Sequence, residues 1–230
     1  MLFFRTLSVS AIALSLALLA CSDSARPPVS NTGPGGGGSG ISSSPDATTK
    51  VDAATETDAG VYTCTDAGVA GEIYAISARN LANTINVPLC AYRDKVLLFA
   101  STPVSCGDKG DYLALQDLYA QYANLGLVVL AFPSSQFGAE AGVAEPITQV
   151  CADQIGLAYP LFQPVDVNGA KTHPVYFWLK ANSGVNEDIV SGNQLFLVGK
   201  HGLERKRFPP TTRADDPEVQ SEIQVALAEP

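Results

Sequence analysis

Five cysteines, at positions 21, 64, 90, 106 and 151, are the residues of this 230-residue chain best suited to chemistry. No two of them form a Cys-x-x-Cys pair and the chain has 2 histidines, which argues against a zinc ribbon and a His-rich metal site. Cys106 follows a strand-like apolar segment and precedes a helical pattern. A thiol at such a junction faces the helix dipole and free backbone N–H groups, which favour the nucleophilic thiolate, although a buried structural cysteine fits the same position.

The segments on either side of Cys106 predict an α/β domain. Residues 95–100 and 127–132 are continuous apolar runs typical of buried strands, and Pro133 ends the second run. Between them, residues 110–124 carry apolar side chains at helical spacing. Because both strands are wholly apolar, we expect a central sheet covered by helices on both faces.

The rest of the domain continues this alternation. The pattern predicts helices at 144–155, 174–180 and 215–228, a short extended piece at 159–162, and a hairpin of strands 195–198 and 203–208. The hairpin adds antiparallel strands, so the predicted sheet is mixed.

The N-terminal region has the composition of a targeting segment. Arg5 precedes a 13-residue apolar run that is too short to span a bilayer, and the run ends in Leu-Leu-Ala followed by Cys21. This ending resembles a bacterial lipobox, which implies removal of residues 1–20 and lipid attachment to Cys21; an ordinary secretory signal is the alternative. Residues 21–60 are rich in Gly, Ser and Pro and predict a flexible tether before a domain at 61–230. We therefore expect a lipid-anchored protein of the cell envelope, on the outer membrane or periplasmic face in a Gram-negative cell.

Charge and composition exclude two classes of protein. The chain has 14 Lys and Arg against 23 Asp and Glu, a net charge of −9, which disfavours a nucleic-acid partner. The hydrophobic fraction of 46% excludes a wholly disordered chain.

Several motifs in consistent order resemble the glutathione peroxidase family. They are residues 95–99 (KVLLF), Cys106-Gly107, the Tyr and Leu pattern over 112–122, residues 130–138 (LAFPSSQFG), 165–169 (VDVNG) and 173–176 (HPVY). The resemblance runs from about residue 73 to residue 229. It implies a thioredoxin-like fold and the reduction of hydroperoxides by a thiol, with no metal or organic cofactor.

The resemblance also assigns roles to individual residues. It makes Cys106 the peroxidatic cysteine and gives Gln136 and Asn193 the role of amide donors that stabilise the thiolate and the leaving oxygen. The family places Trp directly before the catalytic Asn, whereas this chain has Gly192 there. Gln194 is a candidate to replace the missing donor.

The remaining cysteines also receive roles from the resemblance and the expected compartment. Cys151 matches the resolving cysteine of members that use thioredoxin, with a core-facing helix cysteine as the alternative. Cys64 and Cys90 flank the first hairpin, and an exported protein favours a disulfide between them over two unrelated thiols.

The prediction is therefore a thiol peroxidase that reduces hydrogen peroxide or lipid hydroperoxides with a thioredoxin-like or glutathione reductant. The short segment between Lys180 and Asn193 accompanies monomers in the family, so we expect a monomer. The alternatives are a catalytically impaired thioredoxin-fold lipoprotein that acts as a binding module and a thiol:disulfide oxidoreductase. The absence of Cys-x-x-Cys weighs against the last of these.

Overall fold

A four-stranded mixed sheet forms the centre of the domain. The computed structural model describes Cys64 and residues 71–104, 109–137 and 152–230. The strands are β1 (Ser77–Arg79), β2 (Asn86–Pro88), β3 (Val96–Pro103), β4 (Leu127–Ser134), β5 (Leu195–Val198) and β6 (Glu204–Arg207). The helices are α1 (Lys109–Tyr122), α2 (Pro174–Asn182) and α3 (Pro217–Ala228), with 3₁₀ turns at Ile73–Ala75, Leu89–Tyr92 and Ala123–Leu125.

The strand order β4-β3-β5-β6 combines parallel and antiparallel pairs. β3 pairs with β4 in parallel, while β5 runs antiparallel to both β3 and β6. The predicted mixed sheet is confirmed. Because α1 returns the chain from the end of β3 to the start of β4, the carboxyl ends of these two strands lie at the same edge of the sheet.

Two apolar layers pack against the sheet, one on each face. Leu97 and Phe99 of β3 join the layer that contains α2, whereas Val96 and Leu98 join the layer that contains α1 and α3. This alternation follows from the two-residue repeat of a strand, and it confirms the prediction of helices on both faces. The single tryptophan, Trp178, is 9% exposed in the α2 layer, and its indole N–H donates to the Gly71 carbonyl at 2.9 Å.

Most predicted elements appear with shifted ends. β4 continues through Pro133 to Ser134, where the sequence predicts an end at residue 132. Proline is tolerated at position 133 because of the side of β4 that its nitrogen faces. The N–H and C=O of Ala131, two residues earlier, form hydrogen bonds with the segment 160–162 at the edge of β4, and the Pro133 nitrogen faces the same edge. Of the predicted helix 144–155, residues 152–155 are helical and the others lie outside the described residues.

A small antiparallel pair, β1 and β2, precedes the main sheet. The structure joins Cys64 and Cys90 in a disulfide with a Cα–Cα distance of 6.0 Å, and Cys90 is the second residue of the turn Leu89–Tyr92 that follows the hairpin. The predicted signal at 1–20, lipidated Cys21 and the tether at 21–60 lie outside the described residues. Within the described ranges, no helix combines the length and apolar character needed to cross a membrane.

Candidate functional site

The segment that carries Cys106 leaves the sheet where β3 and β4 end together. Cys106 lies outside the described residues, three positions after Pro103 and three before Lys109, the first residue of α1. The parallel register places Pro103 beside Ser134, the last residue of β4. The Tyr112 hydroxyl donates to the Pro103 carbonyl and so ties the first turns of α1 to the end of β3. Strand and helix are thus fixed to each other on both sides of the predicted nucleophile.

Gln136 lies two residues past the end of β4, and its carboxamide is held by backbone groups. Its Oε1 accepts from the N–H of Val167 at 2.8 Å and of Asn168 at 2.9 Å, and its Nε2 donates to the Asn168 carbonyl at 3.1 Å. Two N–H donors on one atom identify that atom as the oxygen, so the NH₂ end of the amide is also defined. The second Nε2 hydrogen lies in the amide plane in a fixed direction.

Asn193 binds a different part of the molecule. Its Nδ2 donates to Asp111 Oδ2 in the first turn of α1, while Arg213 Nη1 donates to Asp111 Oδ1 at 3.0 Å. Asp111 is 12% exposed, so this carboxylate lies between two donors in a largely closed setting. The predicted hydrogen bond from Asn193 to the Cys106 sulfur lies outside the described residues and stays a prediction.

The described contacts of Gln136 and Asn193 go to different layers of the domain. Gln136 contacts Val167, which belongs to the α2 layer, whereas Asn193 contacts Asp111 and lines a small void with Leu115 on the α1 side. The described partners of the two amides therefore belong to different layers, and the predicted roles of Gln136 and Asn193 at Cys106 stay predictions.

Gly192 directly precedes Asn193, and a side chain at this position would point toward Phe137, the residue next to Gln136. A Cβ added to Gly192 would lie 3.5 Å from a side-chain carbon of Pro103 and 3.6 Å from one of Phe137. Both distances are ordinary van der Waals contacts, so this is the position from which a side chain would reach the end of β3 and the residue next to Gln136.

Gln194, the candidate replacement donor, donates its amide hydrogens to backbone carbonyls of other residues. It is fully buried, and its Nε2 donates to the carbonyls of Leu195 at 3.2 Å and Phe208 at 2.5 Å. The Gln194 amide therefore forms hydrogen bonds with the backbone on the β5–β6 side of the sheet.

Sequence reasoning missed Asp111, Asn168 and Lys180. The Asn168 side chain donates to the Ile189 carbonyl at 2.7 Å and accepts from the Ile189 N–H at 2.9 Å. Lys180 Nζ lies 3.4 Å from Asn168 Oδ1 and 3.2 Å from Asp188 Oδ1. The Asn-Gly pair at 168–169 predicts a turn, and Gly169 does adopt φ +80°, but the pair carries no signal for its tertiary partner.

Titratable groups near this end of the sheet are shifted by burial. Burial lowers the pKa of His173, whose Nδ1 accepts the Val175 N–H at 3.3 Å at the start of α2. Burial raises the pKa of Tyr159, whose hydroxyl donates to the Tyr112 carbonyl at 3.4 Å. Both groups are therefore neutral near pH 7.

Other candidate sites lie away from this edge. A cavity of about 380 Å³ is lined by Lys200, Glu204 and Glu229 at the β5–β6 turn. Since β5 is antiparallel to β3, that turn lies at the opposite end of the sheet, where β3 begins. Within the described residues, no group of three or more His, Cys, Asp or Glu side chains is placed to hold a metal ion.

Comparisons with known proteins place this architecture in a family. The family model for glutathione peroxidase matches residues 73–180. The chain is 42% identical to phospholipid hydroperoxide glutathione peroxidase, chloroplastic, from Pisum sativum over 147 residues, 62% of this chain and 61% of that protein. It is 35% identical to hydroperoxy fatty acid reductase gpx1 from Synechocystis sp. over 164 residues, 67% of this chain and 95% of that protein. The chain thus spans about three fifths of the chloroplastic relative and nearly all of the Synechocystis one.

Solved structures agree with the sequence comparisons. The crystal structure of Trgpx in apo form matches with a TM-score of 0.57 and 28% identity, over 70% of this chain and 99% of the other. A thioredoxin-family thiol:disulfide interchange protein from Chlorobium tepidum TLS matches with a TM-score of 0.50 and 10% identity, over 66% and 93%. The fold is thioredoxin-like, as predicted, and the chain belongs to the glutathione peroxidase family.

Proposed function

We propose that this chain is a thiol peroxidase in which Cys106 attacks the hydroperoxide. The observation that carries the proposal is the parallel register of Pro103 with Ser134. Adjacent strands lie about 4.8 Å apart, so the chain enters the Cys106 segment beside the segment that carries Gln136. Family membership supplies independent support.

The first step is nucleophilic attack by the Cys106 thiolate on one peroxide oxygen. The sulfur–oxygen bond forms as the O–O bond breaks, and the released alkoxide takes a proton to leave as an alcohol or water. Sulfur is oxidised to sulfenic acid while the peroxide is reduced. The oriented Gln136 amide would donate to the charge that develops on sulfur and oxygen. Asn193, which also donates to Asp111 at the start of α1, would be the second amide donor to the sulfur and the leaving oxygen.

Cys151 would complete the cycle as the resolving cysteine. Its thiol attacks the Cys106 sulfenic acid, a disulfide forms and water leaves. A thioredoxin-like dithiol or glutathione then reduces the disulfide to two thiols. Cys151 lies outside the described residues and immediately precedes the helical residues 152–155.

Lipid hydroperoxides are the substrate class that two independent considerations favour, alongside hydrogen peroxide. The names of the two relatives refer to phospholipid hydroperoxides and to hydroperoxy fatty acids. A lipid on Cys21 and the tether at 21–60 would hold the domain near a membrane surface, as a monomer in the cell envelope. Replacing Cys21 with Ser is expected to move the protein from the membrane fraction to the soluble fraction.

The test follows hydroperoxide consumption with a dithiol reductant. Cys106→Ser is expected to abolish turnover. With no reductant present, Cys151→Ser is expected to consume one equivalent of hydroperoxide and to leave a sulfenic acid that dimedone traps, whereas wild type leaves a disulfide. The control is Cys64→Ser with Cys90→Ser, which removes two cysteines outside the proposed chemistry and is expected to keep the activity. Equal rates for wild type and Cys106→Ser would refute the proposal and leave the binding module as the better explanation.

A further inference from the structure

The Gln136 amide depends on a turn that another side chain fixes. All three hydrogen bonds of that amide go to backbone groups of Val167 and Asn168. The orientation of the amide is therefore only as fixed as this stretch of backbone.

The side chain of Asn168 holds the turn to a separate segment. It exchanges two hydrogen bonds with the backbone of Ile189, at 2.7 and 2.9 Å, in the manner of a residue pair between antiparallel strands. Gly169, with φ +80°, lets the chain turn away directly afterwards. The 166–169 turn is thus joined to the segment before β5 through one side chain.

A buried cation strengthens this connection. The Lys180 side chain is 10% exposed, and its Nζ donates both to Asn168 Oδ1 at 3.4 Å and to Asp188 Oδ1 at 3.2 Å. Asp188 precedes Ile189, so Lys180 draws the same two segments together from α2. The carboxamide oxygen of Asn168 thereby accepts from two donors, which fixes the side-chain orientation.

We propose that Asn168 is a positioning residue for Gln136, acting through the backbone of residues 167–168. The inference rests on the proposed function, since Gln136 is the group whose orientation matters for the reaction. Loss of the Asn168 side chain leaves Gln136 in the sequence but releases the backbone that orients its amide. Displacements of about 1 Å near reacting groups can lower rates by up to about a hundredfold.

The test is a double-mutant cycle on kcat/KM for hydroperoxide with Gln136→Ala, Asn168→Ala and the combined variant. We expect Asn168→Ala to lower kcat/KM about tenfold in the wild-type background and to have no further effect in the Gln136→Ala background. The same tenfold loss in both backgrounds, or no loss in either, would overturn the proposal. Should Asn168→Ala fail to fold, Asn168→Asp is the second variant, because its side chain keeps an acceptor for Ile189 and Lys180. We expect it to lower kcat/KM by a smaller factor, and only in the background that retains Gln136.

Asn80→Ala provides a matched control. The Asn80 side chain also holds a turn, since its Oδ1 accepts from the N–H of Thr84 at 2.9 Å and of Ile85 at 3.1 Å, but it does so in the β1–β2 hairpin. It is expected to leave kcat/KM unchanged.

An NMR readout separates this inference from the proposed function. The side-chain NH₂ signals of Gln136 are expected to shift in Asn168→Ala and to keep their wild-type positions in Asn80→Ala. Unshifted signals would refute the positioning role whatever the activity, whereas inactive wild-type protein would refute the proposed function alone.

Discussion

The guanidinium Nη1 of Arg213 lies 3.0 Å from Oδ1 of Asp111. Asp111 is the third residue of α1, and its other oxygen accepts from Asn193. One carboxylate therefore ties the start of α1 to the segment before β5 and to the segment before α3. Cys106 lies five positions before Asp111 in the sequence, so we expect the charge balance of this ion pair to influence the proposed nucleophile.

Replacing Arg213 with Gln is expected to make the Cys106 thiol less acidic. The change removes a cation that faces Asp111, and the less balanced carboxylate disfavours a nearby thiolate. We expect the pH midpoint for Cys106 alkylation by iodoacetamide to rise by about 0.5. Lys206→Gln is the control, because it removes a cation that faces Glu218 and Glu222 on α3 instead. An unchanged midpoint in Arg213→Gln would contradict the prediction.

His173 is expected to reduce stability at acid pH. Burial lowers its pKa below the ordinary value of 6.5, and its Nδ1 must be unprotonated to accept the Val175 N–H. The unfolded chain binds the proton more readily, so the free energy of unfolding falls as the pH drops below about 6.5. His173→Asn keeps an acceptor at the start of α2 without a titrating group.

The measurement is urea unfolding between pH 5 and pH 8. His173→Asn is expected to lose less stability than wild type on going to pH 5, while His201→Gln, at an exposed position, is expected to follow wild type. Parallel profiles for wild type and His173→Asn would contradict the assignment.

Glu204 is expected to make the folded protein less stable as the pH rises, which is the opposite of the effect expected of His173. Burial raises its pKa from 4.5 to about 8, with Arg207 opposing the shift, and both carboxyl oxygens are buried without a hydrogen-bond partner among the described residues. The folded state keeps a proton that the unfolded state releases, so stability falls as the pH rises from about 4.5 to 8. Glu204→Gln is expected to flatten the unfolding profile across this window, and the exposed Glu187→Gln is not. An equally steep fall in Glu204→Gln would contradict the prediction.

The order of elements follows from local patterns, which is why the sequence predicts it well. Apolar runs mark β3 and β4 because both strands are buried on two faces, and β5 matches its predicted bounds. The extension of β4 through Pro133 depends instead on the outer edge of that strand, which is a tertiary feature. Local sequence patterns do not predict which edge of a strand a proline nitrogen will face.

The candidate site is less accessible to sequence reasoning because its side chains act on distant partners. Gln136 comes from the motif at 130–138, but its partners at 167–168 follow only from the tertiary structure. Asn193 shows the converse case, since the resemblance assigns it to the sulfur while the structure pairs it with Asp111. Gly192 and Asn193 lie in the turn before β5, where local sequence patterns do not indicate the direction of each side chain.

Gly192→Trp is expected to raise peroxidase activity. The family has Trp before its catalytic Asn, and a Cβ at Gly192 would make ordinary contacts of 3.5 Å with Pro103 and 3.6 Å with Phe137. An indole that starts from this position projects toward the edge where β3 and β4 end, and its N–H would add a donor near the developing charge. One added donor is worth about 1–3 kcal/mol, which corresponds to a gain of roughly 5- to 150-fold in kcat/KM.

The control for this gain is Gly192→Ala, which fills the same first contact without adding a donor. We expect it to fold and to keep the wild-type kcat/KM, because 3.5 Å from Pro103 requires no displacement. Gly192→Phe adds the aromatic volume without the N–H, so a gain from Trp that Phe does not reproduce isolates the donor from packing. Equal gains for Trp and Phe would instead mean that exclusion of water, and not a hydrogen bond, is what this position lacks.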